Sequence, residues 1–276
     1  IAVSFVLFLI RELRTARPIV ELRTLADRNF AGGCVMISLF GCIIYGLVTI
    51  LPLFFQTLLG YPAENAGMAV SPRGLGSIAA MFCVGYLSSR VDNRWLLFGG
   101  FTLCGISSLW LSNIDLQIGP QSLLVPIVLT GFAVGFIFPP LATTAMGTLP
   151  VERIGQASAI YNLVRNIGGS IGISVLSALL ERRQQVHRTQ LVEHLYGSNP
   201  AVQRSLRGLQ QITEAHAGAA TPLERAYALL DNTLSGQAQL WSYVDDFHYL
   251  ALICFLCLPL LLLLKNVRGR GGMAVH

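Results

Sequence analysis

Of 276 residues, only 12% are charged and 53% are hydrophobic, and the mean hydropathy is +0.61. A soluble domain carries about 25% charged residues, so a disordered chain, a coiled coil and an ordinary soluble enzyme are excluded. The net charge of +5 rests on 18 Arg and a single Lys. In so apolar a chain, Arg on the cytoplasmic flanks of membrane spans accounts for it better than a nucleic-acid surface does.

In chain order, Ile1 to Ile10 are apolar and stop at Arg11. They read as the end of a spanning helix and lack the basic start and small-residue cleavage site of a signal peptide, so the chain reads as a fragment of a longer protein. A connector follows with Arg11, Arg14, Arg17, Arg23 and Arg28. A span needs about 20 apolar residues, and six stretches supply that length: 30–59, 66–89, 95–114, 122–146, 154–180 and 247–264. Placing 11–29 inside gives eleven basic residues on the inner side, adding Arg90, Arg94, Arg153, Lys265, Arg268 and Arg270. The short outer loops, 60–66 and 115–121, then hold none, as the positive-inside rule requires.

The segment 181–246 is the one sizeable polar part. Asn199-Pro200 and Thr221-Pro222-Leu223-Glu224 read as helix starts, and Leu223, Tyr227, Leu230, Leu234 and Trp241 recur at helical intervals. A small helical cap on the outer rim and a docking surface for a partner or lipid headgroups are both open readings.

No enzyme site emerges. The five histidines are dispersed, and no nucleophile elbow, phosphate loop or zinc-protease motif occurs. The six cysteines lie in apolar runs, and Cys254-x-x-Cys257 has no charged neighbour, so neither a metal nor a redox role is expected. The costly residues are more informative, because a charge inside a span usually faces protein or water. Arg165 shares one helical face with Ser158, Asn162, Gly169 and Gly172, a polar, small-residue stripe that lines a cavity or admits a neighbouring helix. Arg73 stands nearer the outer end of its span. The segments Arg73-Gly-Leu-Gly-Ser-Ile and Arg165-Asn-Ile-Gly-Gly-Ser-Ile resemble each other. Each opens the second span of a three-span group, and the two run in opposite directions, as in the inverted repeats of secondary transporters. Asp245, Asp246 and His248 fall at the outer entrance of the last span, either as a helix-start cap or as a proton entry. Asp92, between Arg90 and Arg94, suggests a charge-paired hinge.

Gly85 to Arg94 resembles the second-half copy of the short loop motif of the major facilitator superfamily. Leu51–Tyr61, Ser71–Ser77, Leu149–Ser158 and Tyr161–Gly172 are similar to its fourteen-helix drug:proton antiporters, the EmrB/QacA type. The resemblance implies an all-α membrane protein: the C-terminal six-helix half of the bundle, plus the end of a linker helix and a helical outer loop. Its parts would be 1–29 (linker end and cytoplasmic connector), 30–180 (five spans), 181–246 (long periplasmic loop) and 247–276 (last span and cytoplasmic tail). The substrate cavity would lie between halves, with Gln56, Thr57, Thr143, Thr144, Asn162 and Arg165 as polar candidates on this side. Pro52, Pro139 and Pro140 would kink two of the lining helices. Arg73, Gly85, Arg90, Asp92, Arg94, Gly169 and Gly172 would serve gating, and Asp245, Asp246 and His248 a proton pathway. Implied partners are the missing N-terminal half, the lipid bilayer, small amphipathic drugs, a periplasmic adaptor and an outer-membrane channel. Protons would be the coupling ion, with no other cofactor and no nucleic acid. The implied function is proton-coupled multidrug efflux across the bacterial inner membrane. An exporter of one metabolite or siderophore and a non-transporting remnant stay open.

Overall fold

The computed structural model describes residues 22–114, 120–193, 203–204, 206–210 and 222–264. Its helices are α1 (Arg28–Thr57), α2 (Ala63–Val70), α3 (Pro72–Leu87), α4 (Asn93–Ser112), α5 (Pro120–Met146), α6 (Val151–Glu193) and α7 (Pro222–Leu260). Short 3-10 turns occupy Leu22–Ala26 and Leu261–Leu263. Among the described residues there is no strand. Six helical segments are long and apolar enough to cross a membrane, counting 63–87 as one.

Local chemistry sets the ends. Asp27 caps α1 by accepting from the Phe30 backbone N–H at 2.8 Å, which satisfies one of the open donors of the first turn. The chain turns out of α1 at Gly60, whose φ of 68° is costly for any residue with a Cβ. The expected span 66–89 starts earlier and breaks at Ser71, because Pro72 opens α3 and has no N–H to continue the ladder.

The helices α1, α5, α4, α7 and α6 form a closed ring of neighbours, and α3 packs on the outside of α5. Inside the ring lie fully buried aromatic side chains, among them Phe40, Phe54, Phe101, Tyr161, Tyr243 and Phe247. On α3, Leu75, Ile78, Met81, Phe82 and Tyr86 are all exposed. An apolar face of that extent calls for a cover other than water, either lipid or a packing partner.

The polar segment 181–246 differs from the separate cap expected. α6 continues through 180 to Glu193, and α7 begins at Pro222 and runs through 246 without a break. The two helices remain paired past the apolar zone: Arg188 donates to Asp231 at 2.7 Å, and the His187 and Trp241 rings lie 6.4 Å apart. The apolar series of 223–241 does not act as one stripe. Leu234 is buried and Leu230 half-buried, whereas Leu223, Tyr227 and Trp241 are exposed. Asn199-Pro200 and Thr221 lie outside the described residues.

Candidate functional site

Two helix crossings organise the face formed by α1, α3, α5 and α6. Where α3 meets α5, a Cβ at Gly131 would strike the Arg73 carbonyl, and a Cβ at Gly76 would strike the Val128 carbonyl. Where α6 meets α1, a Cβ at Gly41 would strike the Arg165 carbonyl, and a Cβ at Gly168 would strike that of Ser38. The spacing is the same at both crossings. A carbonyl of Arg faces a glycine of the partner helix. The glycine three residues after the Arg faces the carbonyl three residues before that partner glycine. Such backbone-to-backbone approach is available only to small residues and allows weak Cα–H···O contacts. The sequence likeness of 73–78 and 165–171 therefore corresponds to one packing device used twice.

The side chains around the two crossings differ. Arg165 is half-buried, with its guanidinium 5.3 Å from the centre of the Phe138 ring. Its Nε is shielded and has no hydrogen-bond partner among the described residues. Beside it, the Tyr45 hydroxyl donates to Asn166 Oδ1 at 3.1 Å. Tyr45, Asn166, Gly169, Ser170 and Ile173 line a recess of about 300 Å³. Gly169 admits the Tyr45 ring and Gly172 admits Cys42, so these two glycines serve close packing, whereas Asn162 is exposed. Arg73 instead borders a larger cleft of about 500 Å³, together with Val48 and Pro52 of α1, Ser71 and Ser77, and Gly131 and Val134 of α5.

Not every candidate lines a cavity. Gln56 is exposed on α1, but the Thr57 hydroxyl pairs with that of Tyr243 at 2.8 Å. Thr144 is fully buried, and its carbonyl accepts from Asn29 Nδ2 at 2.6 Å. Thr143 accepts from Asn93 Nδ2 at 3.0 Å. The two threonines sit at the end of α5 where α1 and α4 begin; the interhelical seam holds Thr144, whereas Thr143 is exposed and meets Asn93 through its hydroxyl. With Thr148 Oγ1 donating to Asp27 at 3.1 Å and Ser88 Oγ to Asn93 at 3.2 Å, they build a polar clasp across α1, α4 and α5. Sequence reasoning missed Asn29, Tyr45, Asn93 and Asn166. Their signal was an amide or hydroxyl inside or beside an apolar span.

The gating candidates also separate. Arg90 places its guanidinium 4.2 Å from the Tyr86 ring centre. Asp92 and Arg94 border a groove with Trp95, Phe98, Leu258 and Leu262. A Cβ at Gly85 would meet nothing within 4 Å, so no neighbour among the described residues demands glycine there. Asn93, between the charges, joins the clasp.

Asp245 and Asp246 are not at a helix start: α7 begins at Pro222, so no free N–H groups or helix dipole await them. Asp245 Oδ2 meets His187 Nε2 at 2.9 Å and Arg183 Nε at 3.6 Å, and Arg183 also donates to the Tyr249 hydroxyl. Asp246 is fully buried, and neither carboxylate oxygen has a partner among the described residues. His248 Nδ1 lies 2.8 Å from the Val244 carbonyl of its own helix. Among the described residues, no group of three or more His, Cys, Asp or Glu could hold a metal ion.

The family model described as Major Facilitator Superfamily matches residues 2–173. The chain is 30% identical to "Multidrug export protein EmrB" of Escherichia coli (strain K12) over 276 residues, which is 99% of this chain and 52% of that protein. With the protein of the same name from Haemophilus influenzae it shares 31% over 210 residues, 76% of this chain and 41% of the relative. With "Fatty acid resistance protein FarB" of Neisseria gonorrhoeae the identity is 27% over 267 residues, 96% and 51% respectively. The chain thus spans about half the length of the curated relatives it matches. It belongs to the Major Facilitator Superfamily, as a multi-pass membrane protein.

Proposed function

We propose that this chain is the C-terminal half of a proton-driven multidrug exporter of the bacterial inner membrane. The observation that carries the reading is the paired crossing: one packing device, used once at Arg73 and once at Arg165, on helices that alternating spans would run in opposite directions. Inverted repeats of this kind place a substrate site near the midplane and let one bundle rock against another. The name of a relative that the chain matches over about half its length, a multidrug export protein, supports drugs as the cargo class, and we take these to be small amphipathic molecules.

On this reading, α1, α3, α5 and α6 form one wall of the cavity, with Arg165, Asn162 and Gln56 reaching toward the other half. The clasp of Asp27, Asn29, Asn93, Thr143 and Thr148 marks the inner end, and the paired extensions of α6 and α7 project outside. A periplasmic adaptor would dock on those extensions and pass cargo to an outer-membrane channel.

The test is complementation. Each span satisfies its own backbone as a helix, so residues 1–276 alone should insert but not transport. Coexpressed with a first half taken from the same exporter, they should restore drug efflux that collapses when the proton gradient is removed. Efflux by residues 1–276 alone at the rate of the paired halves would overturn the half-carrier reading.

A further inference from the structure

We propose that Asp246 is a proton-binding site that closes the outer seam between α7 and α1 when protonated and opens it when ionised. The inference rests on the exporter reading for its purpose, but its geometry stands apart from the substrate-facing wall. Asp246 is 0% exposed and neither oxygen has a hydrogen-bond partner among the described residues. A carboxylate anion without donors in such a place is strongly disfavoured, whereas the neutral acid is tolerated. The closed packing of α7 is therefore the packing of the protonated form.

The surroundings identify the route and the moving part. Three residues before Asp246, Tyr243 pairs with Thr57 at the outer end of α1 and meets the Phe54 ring edge-on, with centroids 5.4 Å apart. One turn after it, Leu250 lies by Gly46 of α1 beside Leu176 of α6. Asp246 thus sits between two points where α7 touches α1. Its neighbour Asp245 is part-exposed and held by His187 and Arg183 of α6, so α7 meets solvent one residue away from Asp246. On α1 the only ionisable side chains beyond Arg28 are Cys34, Cys42 and Tyr45, and on α4 they are Arg94 and Cys104. None is a carboxylic acid, and the one cation, Arg94, stands at the opposite end of α4. Nothing from those helices replaces the proton. The Asp245–His187–Arg183 group also leaves Asp246 without a counter-ion, since its cation already faces Asp245.

The step is a simple ionisation. The O–H bond of the Asp246 carboxyl breaks and the proton passes to water that enters from the outer rim. The resulting carboxylate draws in water and separates α7 from Thr57 and Phe54. Reprotonation from the outside reverses both changes. In an exporter driven by external protons, this couples proton arrival to closure of the outer seam.

The experiment is an infrared pH titration of the complete carrier in lipid nanodiscs, comparing the wild type with Asp246→Asn and Asp245→Asn. The expected result is a protonated-carboxyl C=O band that disappears on going to alkaline pH in the wild type and in Asp245→Asn, and is lost in Asp246→Asn. The Asn side chain has the shape of the neutral acid, so that variant should fold and hold the closed seam at every pH. A band unchanged in Asp246→Asn, or absent from the wild type, would overturn the proposal. Amide protection over 239–250 in the wild type, corrected for the base-catalysed rise of intrinsic exchange, needs no variant: it should fall with pH, and protection independent of pH would equally refute the seam. Drug transport by the same variants in sealed proteoliposomes under a proton gradient separates the two ideas. No efflux in the wild type defeats the exporter reading, whereas efflux with an infrared band indifferent to Asp246 defeats only this one.

Discussion

At the Arg73 crossing and the Arg165 crossing the chain makes the same backbone contact in two different surroundings. Both pair an Arg carbonyl with a glycine of the facing helix and both place a second glycine three residues on. Around Arg73 the tight fit continues through glycines of α5: a Cβ at Gly135 would come within 2.6 Å of the Ala80 Cβ. Around Arg165 it continues through glycines of α6, where Gly169 and Gly172 admit Tyr45 and Cys42 of α1. The repeat preserves the contact that sets how closely two helices cross, while the side chains beside it are free to diverge. Arg73 borders an open cleft, and Arg165 is held against an aromatic ring, its shielded Nε without a partner among the described residues.

That contrast is sharpest in function. In the complete carrier, Arg165→Ala should abolish efflux at normal membrane levels, while Arg73→Ala should leave measurable transport. Arg165→Lys should restore part of it, because Lys keeps the charge but loses the planar fork that lies over an aromatic face. Drug accumulation assays on the three variants decide this, and equal losses at both arginines would remove the distinction.

The shared part of the crossings predicts a matched pair of stability losses. Gly41→Ala and Gly131→Ala each place a methyl group on an Arg carbonyl, and overpacking of this kind costs about 1–3 kcal/mol. Gly85→Ala, in open space, should change stability by less than about 0.5 kcal/mol. Thermal unfolding in detergent measures all three. A loss at only one of the two crossings would break the equivalence.

Smaller effects belong to contacts outside the repeat. Thr57→Val removes the 2.8 Å bond to Tyr243 and should cost about 0.5–1.5 kcal/mol, the net value of one hydrogen bond. Asp231→Asn breaks the exposed pair with Arg188 and should cost at most about 1 kcal/mol, less at high salt. Unfolding curves at two ionic strengths separate them, since only the second should respond to salt.

How much of this was legible depended on what the residue pattern records. Hydropathy locates the spans of α1, α4 and α5 to within a few residues, because lipid contact demands an apolar surface of fixed length. It does not record where a helix ends. Residues 181–193 are polar but contain no Gly or Pro to stop α6, and α7 runs through Gly236 to Asp245 and Asp246 with no Pro to break it before Pro259. Placing those carboxylates at a helix start followed from reading the edge of the apolar run as the edge of the helix. Arg73 and Arg165 stood out because charge in a span is rare. Thr143 and Thr144 stood out as polar, but polarity does not say which neighbour a side chain faces. Packing of α5 on α1 and α4 buries Thr144 and brings the Thr143 hydroxyl to Asn93, while Thr143 itself stays exposed. Asn93 was passed over because it lies between two charges that attracted the attention.

The inverted relation of the two three-helix groups carries the whole account, and it places the loops after α1 and after α5 on opposite sides of the membrane. The most direct measurement is labelling of single cysteines at Asn65 and Thr148, both exposed, with an impermeant thiol reagent on intact cells expressing a Cys-free carrier. Asn65→Cys should react from outside, and Thr148→Cys only after the membrane is permeabilised. Reaction of both from the same side would contradict the inverted repeat.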